Sequence, residues 1–149
     1  MTYRLPTDLV VGFEEIDGQH RALFERLDAA LQSVQADDVA AARDAAAKLS
    51  DYLMAHFTAE ESFMSATHYP DRGRHKSAHD LFMQDFVQLV AELRNTGLSV
   101  PVVEWFTLRV PEWLKFHIQV NDRPLGRYLA ARRFGAEAQP GRRDKPRAC

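Results

Sequence analysis

Five of the six histidines in this chain sit at helical spacing on apolar stripes, in the company of two carboxylates. His20 stands alone, His56 is followed by Glu60, His75 by His79, and His117 by Asp122. Residues four apart on an α-helix are separated by about 400° and by about 6 Å of rise. His56 with Glu60, and His75 with His79, therefore project from one face and can converge on neighbouring or identical points. Around them apolar residues recur at alternating spacings of three and four. Leu23, Leu27 and Val34 follow His20, and Leu49 and Leu53 precede His56. Phe82, Phe86 and Leu89 follow His79, while Phe106, Val110 and Trp113 lead to His117, with Val120 expected to continue that stripe. This is the buried face of an amphipathic helix, four times over. Buried polar groups need partners, so such a set would be a costly core without a metal.

The set is too rich for one ion and suits two that share carboxylates. A carboxylate has two oxygens, and two bridges offset part of the charge that two divalent cations bring into a core. Imidazole suits iron, copper, nickel and zinc, and the absence of thiolates disfavours an iron–sulfur cluster. The chain is read as a non-haem di-iron site in an all-α, up-down-up-down antiparallel four-helix bundle. His117 and Asp122 complicate this, because five residues make about 500° of helix and leave their side chains roughly 140° apart. They can share a site only if the helix bulges or ends between them. Pro124 favours an ending, since it disfavours helical geometry at Arg123.

Helix punctuation agrees with four segments. Asp17 is expected to cap the first, Asp37 or Asp38 the second, and Ser99 the fourth, with Pro101 in its first turn. Tyr69-Pro70-Asp71 separates the second and third, and Gly97 can close the third. Connections this short make sequential helices antiparallel. His68 falls at a helix end and is expected on the surface. Glu61 is rotated about 100° from Glu60 and is expected to be solvated.

The 149 residues fit one domain, taken as 1–134, followed by a basic, disordered tail over 135–149. Residues 1–122 hold 11 Lys and Arg against 19 Asp and Glu, a balance of −8, whereas 123–149 hold 8 against 2, a balance of +6. The tail is expected to screen the acidic bundle or to meet an acidic partner weakly. Nothing suggests nucleic-acid binding, a membrane span or a signal peptide. Cys149, the one cysteine, can form no internal disulfide. A cytoplasmic monomer is expected.

The segments that carry the ligands resemble the hemerythrin family, in its bacterial branch. They are Ile16-Asp17-Gly18-Gln19-His20; His56-Phe57-Thr58-Ala59-Glu60-Glu61 with Met64; Tyr69-Pro70 with His75 and His79; and Trp113-Leu114-Lys115-Phe116-His117-Ile118 with Asp122. The resemblance implies one iron bound by His75, His79 and His117 and another by His20 and His56. Glu60, Asp122 and a solvent-derived oxo or hydroxo group would bridge them. The second iron then keeps an open position, where dioxygen would bind reversibly within an apolar wall assigned to Leu23, Trp113, Leu114 and Ile118. Two departures stand out. Tyr3-Arg4-Leu5-Pro6 replaces the usual N-terminal tryptophan, and Pro111 interrupts the fourth helix, where a kink is expected.

Oxygen storage, transport or delivery is the function this implies, without catalysis. Di-iron enzymes that cleave dioxygen use mostly carboxylates and two Glu-x-x-His motifs, which this chain lacks. Five neutral imidazoles support high-valent iron less well, and no further histidine is assigned to acid–base work. A sensor of oxygen, nitric oxide or redox state acting through a partner is the alternative, followed by a peroxide or nitric oxide reductase.

Overall fold

The four apolar stripes each form a helical run in the computed structural model, which describes residues 5–138, with side chains to residue 133. Helix α1 spans Glu14–Gln35, α2 Val39–Ala66 and α3 Arg72–Thr96. The fourth run comprises α4 (Val100–Glu104), α5 (Val110–His117) and α6 (Arg123–Ala138), joined by π turns at Trp105–Arg109 and Ile118–Asp122. No strand occurs among the described residues, and none of their helices is long and apolar enough to cross a membrane.

The helix ends follow local chemistry. Asp38 caps α2 by accepting the Ala41 N–H at 3.1 Å, a bond of the kind worth about 1 kcal/mol. Gly97, at φ +73°, closes α3 with its N–H on the Leu93 carbonyl, a conformation that only glycine adopts without strain. Ser99 occupies the expected cap position of α4, but its side chain makes no capping bond. Asp17 is not a cap. It lies inside α1, and its buried carboxylate accepts the N–H groups of Val11 at 2.8 Å and Gly12 at 3.1 Å. That pair ties down the N-terminal arm, whose Leu9, Val11 and Phe13 are buried. Gly126 in α6 meets the same arm so closely that a Cβ would lie 2.6 Å from the Val11 carbonyl oxygen.

Sequential helices pack together, and the Trp105–Arg109 turn returns against α1 to close the bundle. In this antiparallel order the start of α1, the end of α2, the start of α3 and the end of the fourth run share one end of the molecule. All seven candidate ligands fall there. The opposite half is filled by apolar side chains, with Leu27, Leu49, Phe86, Leu93 and Phe106 at 0 % exposure.

The fourth run departs from expectation at the helix end, at Val120 and at the start of the tail. The chain does not end its helix near Asp122; Arg123 keeps helical dihedrals of −64° and −46°, and α6 continues to Ala138. The other possibility, a bulge, is what forms: the Arg123 N–H bonds to the Ile118 carbonyl five residues back. Pro111 likewise follows a π turn, with the Val110 N–H on the Trp105 carbonyl. A proline placed where the ladder returns from i→i+5 to i→i+4 loses little by lacking an N–H, so both prolines are accommodated. Finally, the extra residue in the second turn rotates Val120 outward, to 42 % exposure, and brings Asp122 inward at 1 %. Helical backbone also continues through 135–138, four residues into the segment expected as tail; the remainder of that segment, 139–149, lies outside the described residues.

Candidate metal centre

His20 projects from the second turn of α1, and His56 and Glu60 lie one turn apart near the end of α2. His75 and His79 repeat that spacing at the start of α3, and the π turn sets Asp122 beside His117. All seven residues are at most 2 % exposed, and they form two overlapping groups in which the nearest donor atoms lie within 4.8 Å of one another. Glu60, His75, His79, His117 and Asp122 make one group; His20, His56, Glu60 and Asp122 make the other.

The two carboxylates divide their oxygens between the groups. Glu60 Oε1 lies 3.2 Å from His75 Nε2 and 3.1 Å from His79 Nε2, while its Oε2 lies 3.1 Å from His56 Nε2 and 3.6 Å from His20 Nε2. Asp122 Oδ1 lies 3.0 Å from His75 Nε2 and 3.2 Å from His117 Nε2, and its Oδ2 lies 3.0 Å from His20 Nε2. His79 and His117 bring their Nε2 atoms within 3.1 Å of each other. Each of these five histidines thus turns Nε2 inward.

Hydrogen bonding does not satisfy this cluster. Both nitrogens of His20, Glu60 Oε2 and Asp122 Oδ1 are buried without a hydrogen-bond partner, even though His20 Nε2 is close to Asp122 Oδ2. Buried polar atoms left so cost about 1–3 kcal/mol each, and convergent nitrogens and carboxylate oxygens suit cations. In the metal-free protein, protons take up part of that role. Burial disfavours the charged form of His20, but the adjacent Asp122 and Glu60 carboxylates outweigh it and raise its pKa to about 9. His75 is raised to about 9 by the same balance. Burial pushes the Glu60 carboxyl up, yet His56 and His20 more than offset this and hold it well below its ordinary value. Asp122 is lowered too, with His117 and His20 overcoming burial and the neighbouring Glu60 charge.

A second tier of side chains orients the imidazoles. His56 Nδ1–H donates to Gln19 Oε1 at 2.7 Å, and His79 Nδ1–H to Glu61 Oε2 at 2.9 Å. The Asn121 amide lies 3.0 Å from His117 Nδ1, where its oxygen can accept once the amide is turned. Phe57 stacks on His79 at 3.9 Å and Trp113 on His117 at 4.5 Å, with Phe82 behind Trp113 at 4.0 Å. Glu61, expected in solvent, is therefore corrected to a half-buried partner of His79. Gln19, Asn121 and Phe57 were not singled out. Gln19 and Phe57 adjoin ligands within the segments that carry the resemblance, and Asn121 lies one regular turn beyond His117. His68 is exposed, as expected. Leu23, Leu114 and Ile118 are each buried at 1 %, and Trp113 is half-buried.

A family model described as the hemerythrin HHE cation binding domain matches residues 11–129, which include all seven side chains. The chain belongs to the hemerythrin family. Among curated hemerythrin relatives, a bacteriohemerythrin of Stenotrophomonas maltophilia (strain R551-3) is 29 % identical over 137 residues, covering 90 % of this chain and 87 % of that one. A hemerythrin-like protein of Naegleria gruberi is 33 % identical over 112 residues, covering 75 % and 81 %. A crystal structure of a leucine-to-phenylalanine mutant shares the fold with a TM-score of 0.79, at 23 % identity, covering 87 % of this chain and 99 % of that one. Family membership and the buried His/Glu/Asp cluster together mark a non-haem metal-binding protein.

Proposed function

We propose that this hemerythrin-family chain holds two iron ions and binds dioxygen reversibly, for storage, transport or delivery. His75, His79 and His117 would hold one ion and His20 and His56 the other, with Glu60, Asp122 and a solvent-derived oxo or hydroxo group shared between them. The observation that carries this is the division of oxygens, one from each carboxylate toward each histidine group. When bound, the iron pair would supply the two electrons that dioxygen takes up and returns.

The chain's own groups set the conditions. The His20 and His56 side has one imidazole fewer, which leaves room for a small ligand. Leu23, Leu114 and Ile118 are buried and apolar, and as a wall they exclude water and proton donors. Trp113 stacks on His117 and so bears on the three-imidazole group. The donor set is neutral imidazole in the main, which favours reversible binding over cleavage, so the protein is proposed to be a carrier and not an enzyme. Anaerobic loading followed by metal analysis should return two irons per chain. A single iron at saturation would rule the assignment out.

A further inference from the structure

An imidazole that binds a cation through Nε2 carries its proton on Nδ1, and a buried ring needs an acceptor there. Among the described residues, His56 and His79 have such acceptors, and His117 gains one once the Asn121 amide is turned. Gln19 and Asn121 are neutral amides, whereas Glu61 is a carboxylate. Its side chain is 26 % exposed and lines a groove of about 440 Å³ between α2 and α3, shared with Ser62, Ser65, Arg72 and Lys76. Glu61 is thus the polar link between a surface groove and the buried cluster. Phe57 covers one face of the His79 ring at 3.9 Å, so the ring is held by its face and by its Nδ1 edge.

We propose that Glu61 is a positioning residue for His79: its carboxylate accepts the Nδ1 proton, fixes Nε2 inward, and makes the three-imidazole position the tighter of the two for a divalent cation. This rests on His79 being a ligand, as proposed above. A charged acceptor forms a stronger hydrogen bond than an amide and raises the basicity of the opposite nitrogen. The consequence is an ordered loading, with the His75, His79 and His117 position filled before the His20 and His56 position. The additional imidazole of that position favours the same order, and Glu61 adds to it.

Zinc(II) serves as probe, being diamagnetic and suited to imidazole. Wild type, Glu61→Ala and Glu61→Gln are titrated against a competing chromophoric chelator, and the zinc-loaded proteins are examined by proton–nitrogen NMR of the imidazoles. Wild type should take up two ions in two steps and show a slowly exchanging His79 Nδ1–H. Glu61→Ala should weaken the tighter step by about 10–100-fold, the range for loss of such partners, and lose that resonance. Glu61→Gln should keep the resonance, because its amide oxygen still accepts, but recover only part of the affinity, because the charge is gone. Two-ion uptake by wild type with an unaltered Glu61→Ala overturns the inference alone, as does a Glu61→Gln no better than Glu61→Ala. Wild type taking up fewer than two ions overturns the ligand assignment, and this inference with it.

Discussion

Glu60 and Asp122 are buried beside five imidazoles, and the ionisation of this group governs how the metal-free protein responds to pH. His20 and His75 are raised from 6.5 to about 9, so the folded state holds protons there that the unfolded chain would release. Their contribution to stability is complete below pH 6.5 and is lost as pH rises through 9. Glu60 and Asp122 are lowered from 4.5 and 3.8, so their contribution is present above those values and fades as pH falls below them. Urea unfolding of metal-free protein should therefore show its midpoint declining between pH 6.5 and 9. A flat midpoint over that window would mean the imidazoles are not held as described. Metal loading near pH 7 should also release the two protons of His20 and His75, since bound imidazole must be neutral. Leu114 provides a separate test at this scale, because it is buried at 1 % and assigned to the apolar wall. Leu114→Glu should shorten the life of the oxygen-bound form by admitting a charge and water. An unchanged lifetime would remove Leu114 from the wall.

At the scale of elements, the π turn at Ile118–Asp122 decides whether the fourth run contributes one ligand or two. In a regular α-helix the residue one turn beyond His117 is Asn121, and it would face the cluster. With the π turn, Asp122 takes the inward place and Asn121 instead reaches His117 Nδ1. Exchanging the two (Asn121→Asp with Asp122→Asn) should therefore lower the metal stoichiometry, as read by metal analysis. Full retention of two ions would show that the turn is α. The same element explains what was legible in the sequence. His56 with Glu60 and His75 with His79 obey regular periodicity, so their convergence could be read from spacing. The five-residue interval from His117 to Asp122 announced an irregularity, a bulge or an end, and Pro124 pointed to the end. Only the hydrogen-bond register of the folded chain separates these. Val120 was misplaced for that reason, because one added residue shifts the apolar phase.

Across the whole molecule, the antiparallel order gathers four separate ligand segments at one end and leaves the other end as an apolar core. The arm that holds Leu9, Val11 and Phe13 meets Asp17 and Gly126 near the ligand end. That long-range contact had no periodic signal, and Asp17 read from sequence alone looked like a helix cap. Glu61 was missed for a related reason: it stands about 100° from Glu60 on an isolated helix, but α3 packs close enough for His79 to reach it. The central claim, a pair of metal positions that binds dioxygen reversibly, is tested most directly by optical and Raman spectroscopy of anaerobic Fe(II)-loaded protein. Spectra are taken before air, after air, and after argon purging. A charge-transfer band that appears with dioxygen and vanishes under argon is the predicted result. Absence of the band, or its irreversible replacement by a ferric spectrum, would contradict the carrier assignment.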